Sequence, residues 1–309
     1  MLKKRKIEII KITLVALTII GFVIIHFILP RIIVQKRNTI KISSTESYLK
    51  YDSIINDSSQ FKREKLSFKS FDGLNLSALL TRATIDSIKG TLILVPNSSS
   101  NKYTLLDFSE FLAKRGYNSV AVDLRGYGES EGKFCTYGVK EKKDIQSLID
   151  RLHQYENIEP IGIWGNSLGA AVAIQAMGIE KRIKFGIVES TFTDYKTSMD
   201  TYFTRLTKVK LKPLTNYIVD RSGSIGDFDV DDASPIKYAE NVTQPIIIAH
   251  GEKDKVFEVK YGKENFDKIK SINKKFIVID SAPHTYLWEV GGEEYFEKVM
   301  LFLDMQEIQ

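Results

Sequence analysis

A long apolar segment near the amino terminus is the first feature of the hydrophobic pattern. Residues 12–29 are eighteen residues without a formal charge, and at about 1.5 Å per residue such a helix spans roughly 27 Å, close to the hydrocarbon thickness of a bilayer. Pro30 and Arg31 end the stretch, and no pair of small residues at the spacing of a cleavage site precedes them. The pattern therefore favours an uncleaved membrane anchor over a cleaved signal peptide.

Beyond a polar stretch rich in Ser and Asn, strand patterns and helix patterns alternate. Strands are predicted over residues 66–68, 74–80, 91–95, 119–122, 161–164, 185–188, 245–249 and 275–279, and helices over 103–115, 139–153, 168–177, 259–269 and 293–303. The first two strands flank Asp72-Gly73, which is a hairpin turn signal. An antiparallel start followed by strand–helix alternation predicts an α/β fold whose mostly parallel sheet is covered by helices on both faces.

These patterns divide the chain into an anchor, a linker and one large domain. The predicted boundaries are 1–37 for the anchor, with its membrane span at about 12–29, 38–60 for the linker, and 61–309 for the domain. A segment rich in Thr, Lys, Tyr and Asp interrupts the alternation at about 190–239, and within it residues 222–235 have the composition of a loop. This insertion is either a small lid over a substrate pocket or a surface excursion, and the sequence leaves both open.

The net positive charge of the chain lies in the two flanks of the apolar segment. Residues 1–11 and 30–41 each carry a net charge of +4, and subtracting both from the chain's +5 leaves −3 for residues 42–309. A nucleic-acid surface would place clustered Lys and Arg on the folded domain, so none is expected. More basic residues precede the span than closely follow it, which predicts a cytoplasmic amino terminus and a domain on the extracytoplasmic side.

A candidate nucleophile lies between a predicted strand and a predicted Ala-rich helix. The sequence there is Gly165-Asn166-Ser167-Leu168-Gly169. The G-x-S-x-G pattern is weak alone, but this strand–turn–helix context is what a nucleophile elbow requires. The sharp turn projects the serine Oγ above the sheet, the glycines leave room for neighbouring backbone, and the helix directs its first N–H groups toward a developing oxyanion. Ser167 is therefore the predicted nucleophile.

A nucleophilic serine needs a histidine base and an acid that orients the base. Ser167, Asp254 and His284 follow one another in the order serine, acid, histidine, with gaps of 87 and 30 residues. Asp254 and His284 each come just beyond a predicted strand end. Asp254 is therefore the predicted acid and His284 the predicted base.

Three other titratable residues compete for these roles. His250 would put the base before its acid, so we interpret it as a turn residue. Glu189 follows the strand at 185–188 and is the rival acid. Asp280 lies too near His284 in sequence to approach it from a separate strand.

The sequence resembles the α/β-hydrolase superfamily, in particular membrane-anchored bacterial serine hydrolases related to prolyl-oligopeptidase-type and serine-aminopeptidase-type catalytic domains. The resemblance covers roughly residues 62–305. It is carried by Phe71-Asp72-Gly73, the segment DLRGYGESEG at 123–132, the Ser167 elbow, Ser234-Pro235-Ile236, the segment HGEKD at 250–254, and His284. Together these motifs are specific for the superfamily and say nothing about the substrate.

The resemblance also implies an oxyanion hole. In many relatives the strand that matches 91–95 ends in His-Gly, and the next backbone N–H helps to bind the oxyanion. This chain has the segment PNSSSN at 96–101 instead. The matching donors are the N–H groups of Ser98 and Leu168.

These observations predict a serine hydrolase at a membrane surface, with the membrane bound through the N-terminal helix. A small-molecule or lipid-like acyl ester is the preferred substrate. Amide hydrolysis of the peptidase or aminopeptidase kind, and a catalytically silent binding protein, are the alternatives. No organic cofactor or metal is expected. The acidic residues between 227 and 232 are interpreted as a solvated loop, and the single Cys135 allows neither an internal disulfide nor a Cys-rich zinc site.

Overall fold

The computed structural model describes residues 2–35 and 60–306. The chain begins with α1 (Leu2–Val23), a π-helical segment (Ile24–Ile28) and α2 (Leu29–Val34), which together we call the N-terminal helix. Its stretch Lys4–Val34 is long and apolar enough to cross a membrane. The predicted linker lies outside the described residues except for Gln60.

One mixed sheet forms the centre of the domain. Its strands are β1 (Arg63–Lys69), β2 (Asn75–Thr81), β3 (Gly90–Val95), β4 (Tyr117–Val122), β5 (Ile161–Asn166), β6 (Ile183–Glu189), β7 (Ile246–Gly251) and β8 (Lys274–Ile279). They lie in the order β1-β2-β4-β3-β5-β6-β7-β8. The predicted hairpin β1–β2 is antiparallel, β2 pairs antiparallel with β4, and the remaining pairs are parallel. The mostly parallel sheet is thereby confirmed.

Helices cover both faces of the sheet. They are α3 (Leu106–Ala113), α4 (Glu141–Leu152), α5 (Leu168–Ile179), α6 (Tyr195–Thr207), α7 (Lys212–Gly226), α8 (Pro235–Ala239), α9 (Val259–Lys268) and α10 (Leu287–Asp304). Apolar side chains of α4 and α5 pack on one face, and those of α3 and α10 pack on the other. Every residue of β3 and β4 is buried, as expected for strands that helices cover on both sides.

Several details differ from the predicted elements, and packing explains two of them. Residues 222–226, assigned to a loop by composition, are the last turn of α7, because Ser222, Gly223 and Gly226 are buried in tertiary packing. The predicted helix end at Gly178 is also wrong, since α5 continues to Ile179. Gly178 packs so closely on α8 that an added Cβ would lie 2.8 Å from the carbonyl oxygen of Tyr238. In both cases packing overrides the local preference of glycine and serine.

The end of the N-terminal helix packs against the domain. Pro30 and Val34 are buried, and the N–H of Cys135 donates to the carbonyl oxygen of Val34 at 2.9 Å. The Tyr137 hydroxyl donates to the carbonyl oxygen of Ile33 at 2.6 Å. The N-terminal helix is therefore part of the folded structure at its carboxyl end.

Candidate active site

Ser167 lies at a strained turn between β5 and α5. Its backbone has φ 54° and ψ −112°. Residues other than glycine rarely adopt a positive φ of this kind. The Ser167 N–H donates to the carbonyl oxygen of Glu189 at 2.8 Å, which fixes the turn to the neighbouring strand β6. The predicted strand–turn–helix arrangement around the serine is therefore present, and strain is held where the Oγ projects.

The two glycines of the elbow allow backbone to pack against backbone. A Cβ on Gly165 would lie 2.2 Å from the carbonyl oxygen of Gly169, and a Cβ on Gly169 would lie 2.1 Å from that of Val95. Both distances are far below van der Waals contact, and neither obstacle is a movable side chain. The elbow thus depends on glycine for space at both positions.

Gly169→Ala is expected to lower the free energy of unfolding by about 3 kcal/mol, because the methyl group must displace the β3 backbone. Chemical denaturation of the full-length protein in detergent measures this change. Gly21→Ala, where an added Cβ meets nothing within 4 Å, is the control; because Ala favours a helix over Gly, it should leave stability unchanged or raise it by up to about 1 kcal/mol. Equal effects of the two substitutions would contradict the steric argument.

The structure brings Ser167, His284 and Asp254 into one chain of hydrogen bonds. The His284 Nδ1 lies 2.7 Å from Asp254 Oδ2, and its Nε2 lies 2.8 Å from Ser167 Oγ. An ionised carboxylate only accepts, so Nδ1 carries the proton and Nε2 is free to accept from the hydroxyl. Asp254 and Ser167 are buried, whereas the imidazole is partly exposed.

Asp254 is held in its ionised form by several donors. Burial alone would raise the pKa of this carboxyl, but hydrogen bonds from His250 and His284 outweigh burial and hold the pKa well below its usual range. Its other oxygen, Oδ1, accepts from the N–H groups of Val256 at 2.7 Å and Phe257 at 2.9 Å. The acid is therefore fixed in both charge and orientation.

His250 contributes to this arrangement, although the sequence suggested a turn residue. It is a fully buried residue of β7. Its Nε2 lies 3.2 Å from Asp254 Oδ2 and 3.0 Å from the carbonyl oxygen of Phe257. Since both neighbours only accept, this nitrogen carries the proton. The interpretation of His250 as a turn residue is therefore wrong. Strand β7 continues through His250 to Gly251 and points the His250 imidazole at Asp254.

The rival acids lie elsewhere. Glu189 accepts from the Tyr295 hydroxyl at 2.6 Å and faces the amide of Asn166 at 3.4 Å. Burial raises the pKa of Glu189 despite these hydrogen bonds. Asp280 is exposed at the end of β8. In the described structure His284 pairs with Asp254 and with neither of these carboxyls.

Comparisons with known proteins agree with this fold. The esterase Pf2001 of Pyrococcus furiosus superimposes with a TM-score of 0.66 at 24% identity, covering 79% of this chain and 91% of the esterase. Residues 86–226 match the family model described as serine aminopeptidase, S33. The chain therefore has the α/β-hydrolase fold. Its match to a family of hydrolases supports hydrolytic activity.

Two curated proteins are also similar to this chain. YfhR of Escherichia coli K12 is 23% identical over 247 residues, which cover 78% of this chain and 80% of YfhR. The lysophosphatidylserine lipase ABHD12 of Danio rerio is 28% identical over 171 residues, which cover 52% of this chain and 43% of the lipase.

The loop expected to supply an oxyanion donor is fixed at both ends without glycine. Asn97 Oδ1 accepts from the N–H of Ser99 at 2.8 Å, which closes a turn around Ser98. Beyond the loop, the buried Lys102 ammonium lies 2.5 Å from the buried Asp123 carboxylate. Ser98 and Leu168 both line the cavity beside Ser167. The serine-rich loop of this chain is thus part of the cavity wall.

A cavity of about 730 Å³ surrounds Ser167 and His284. Large apolar side chains form much of its wall, among them Phe108, Trp164 and Trp288. Ile32 and Ile33 of the N-terminal helix and Met199 and Tyr202 of α6 also line it. The volume is that of a site for a small molecule. Sequence reasoning missed the contribution of the N-terminal helix, because nothing local indicates that the end of this apolar helix packs against the domain.

Residues 2–35 and 60–306 contain no group of three or more His, Cys, Asp or Glu side chains placed to hold a metal ion. Three members of the acidic segment before α8 have partners of opposite charge, and Asp227 pairs with Lys140 at 3.1 Å. Asp232 pairs with Lys142 at 2.7 Å and Asp231 with Lys196 at 2.8 Å.

Proposed function

We propose that this α/β-hydrolase cleaves acyl esters through an acyl-enzyme on Ser167. The hydrogen-bonded chain from Asp254 through His284 to Ser167, beside a largely apolar cavity, is the observation that carries the proposal. Each member is within 2.8 Å of the next. An ester with a hydrophobic acyl chain fits the cavity wall.

The geometry supports a two-step mechanism. Ser167 Oγ attacks the acyl carbonyl while His284 Nε2 takes the hydroxyl proton, and Asp254 stabilises the imidazolium that forms. The N–H groups of Leu168 and Ser98 donate to the oxyanion. The imidazolium then returns its proton to the alkoxide leaving group, and the acyl group remains on Ser167. Water, deprotonated by the same imidazole, attacks the acyl-enzyme; the bond to Ser167 Oγ breaks, the imidazolium returns the proton to Oγ, and the carboxylic acid is released.

Hydrolysis of aminoacyl amides is the second candidate. It is favoured by the match to a family described as serine aminopeptidase and by two carboxyl side chains, Glu189 and Glu289, that line the cavity. A carboxylate could bind a substrate amino group. Glu189, however, is buried against Tyr295, and Glu289 is exposed to solvent. The largely apolar wall therefore favours the ester.

A substrate panel separates the two candidates. Purified full-length protein is assayed with p-nitrophenyl esters of increasing acyl length and with p-nitroanilides of several amino acids. We expect kcat/KM to be highest for an ester of intermediate or long chain, because such a chain fills the apolar cavity. Faster cleavage of aminoacyl anilides than of every ester, reduced by Glu289→Gln, would establish the aminopeptidase instead.

The N-terminal helix is, in this proposal, a retained membrane anchor. The proposal is supported by the end of the helix, where Ile33 and Val34 bond to the domain through Tyr137 and Cys135. The basic flank at residues 1–11 favours a cytoplasmic amino terminus and an extracytoplasmic domain. Alkaline carbonate extraction of membranes tests anchoring: full-length protein should stay in the pellet, and its release would contradict the anchor.

A further inference from the structure

The connection between α6 and α7 forms an exposed tip that is both apolar and basic. The side chains of Leu206, Val209 and Leu211 are 67%, 53% and 47% exposed. Lysines alternate with them at positions 208, 210 and 212, and all three lysines are exposed. Residues 201–219 contain Arg205 and these lysines and no acidic residue. Residues 206–212 are called the α6–α7 tip below.

The α6–α7 tip lies beside the apolar part of the N-terminal helix. Tyr217 of α7 faces His26, with the hydroxyl oxygen 2.5 Å from Nδ1. At the other end of α7, Gly226 adjoins Phe134, and Phe134 forms a β-bridge with Gln35. Positions 217 and 226 of α7 thus correspond to positions 26 and 35 of the anchor, so the two run in the same direction over equal lengths.

This correspondence fixes the depth of the tip. Lys212 precedes Tyr217 by five residues, which is about 7.5 Å along a helix. Counting back equally from His26 reaches the level of Gly21, which lies within the apolar segment 12–29. If that segment spans a bilayer, the α6–α7 tip lies at the level of the half of the segment that ends at Leu29, and so within the leaflet from which the anchor emerges.

We propose that the α6–α7 tip is a membrane-docking surface that inserts its apolar side chains into the leaflet from which the anchor emerges, and that it prefers anionic lipid. Apolar side chains enter the boundary between headgroups and acyl chains, and the long lysine side chains bend back to lipid phosphates. The proposal rests on the membrane anchor and is independent of the chemistry of Ser167.

The same surface is continuous with the cavity. Met199 and Tyr202, on the helix that leads into the tip, line the cavity together with Ile32 and Ile33 of the anchor. Docking of the tip therefore holds this side of the cavity against lipid. A bilayer, rather than a protein, is the occupant because the membrane is already present at this depth on the anchor side.

Site-specific labelling tests the docking. Val209→Cys is labelled with an environment-sensitive nitrobenzoxadiazole in full-length protein, and Ile272→Cys is the matched control. Ile272 is fully exposed just before β8, at the end of the strands away from Ser167. The only native cysteine, Cys135, is buried, and burial raises the pKa of its thiol, so the unsubstituted protein should remain unlabelled. Both variants are reconstituted into vesicles of phosphatidylcholine with one quarter phosphatidylglycerol, and into phosphatidylcholine alone.

We expect the label at 209 to be quenched several-fold more by lipid-borne nitroxide than the label at 272, and to be protected from iodide. Changing Lys208, Lys210 and Lys212 together to Gln should reduce the difference in quenching at 209 between vesicles with and without phosphatidylglycerol.

Equal quenching and equal iodide access at 209 and 272, in protein that carbonate cannot extract, would overturn the docking while leaving the anchor intact. Protection from iodide without lipid quenching would indicate a protein contact and overturn the lipid assignment. Extraction by carbonate would overturn both anchor and docking, whereas esterase activity reports separately on Ser167.

Discussion

Ser167→Ala is expected to abolish covalent labelling by a fluorophosphonate and to lower kcat/KM for acyl esters by about 10⁴-fold or more, as loss of a serine nucleophile does in comparable triads. The hydroxyl is the one group placed 2.8 Å from the His284 Nε2 that would activate it. Removing it leaves the imidazole without a nucleophile to deprotonate, so only the weak background reaction of water remains. Gel fluorescence of the labelled protein and initial rates with p-nitrophenyl esters measure the two effects.

Ser190 offers a matched control. Ser190 follows β6 much as Ser167 follows β5, it is fully buried, and both residues have φ 54°. The Ser190 Oγ has no hydrogen-bond partner among the described residues, so Ser190→Ala should keep both labelling and turnover. Labelling that survives Ser167→Ala would place the nucleophile elsewhere and remove the basis of the proposed mechanism.

Local sequence signals were enough to predict the sheet and the elbow. Most of the strands are short apolar runs bounded by turn residues. The glycines of the G-x-S-x-G pattern make room for backbone that lies a few positions away or on the neighbouring strand. The order of Ser167, Asp254 and His284 along the chain also indicated which side chains would meet. The structure brings the three together, and their catalytic roles remain the prediction that these experiments test.

Features that depend on packing between distant segments could not be predicted. His250 reaches Asp254 because β7 extends one residue pair beyond its apolar run, which only pairing with β8 determines. The last turn of α7 forms in a stretch rich in glycine and serine because it packs on its neighbours. The contact of Ile33 with Tyr137 joins segments 104 residues apart. Such contacts have no periodic signature, so a single sequence does not reveal them.

Asp254→Asn should reduce kcat for esters by about 10⁴-fold without unfolding the protein, because an amide of the same shape cannot hold the imidazole in the required tautomer. In the wild type the carboxylate accepts the Nδ1 proton of His284, which leaves Nε2 free to take the proton of Ser167. The asparagine NH₂ group can donate to Nδ1 instead, which forces the proton onto Nε2 and turns that nitrogen away from its role as base. Steady-state kinetics measure the loss, and fluorophosphonate labelling should slow in parallel.

Glu189→Gln is the control for this substitution, since Glu189 is the other buried carboxyl beside the nucleophile. It bonds to Tyr295 rather than to His284, and burial raises its pKa, so a neutral amide should replace it with less than about a tenfold loss of kcat. The pH profile adds a second test. Hydrogen bonds hold the pKa of Asp254 well below its usual range against the effect of burial, so this carboxylate stays ionised as the pH falls. Loss of wild-type activity on acidification then reports a group other than Asp254. A larger loss from Glu189→Gln than from Asp254→Asn would reverse the assignment of the acid.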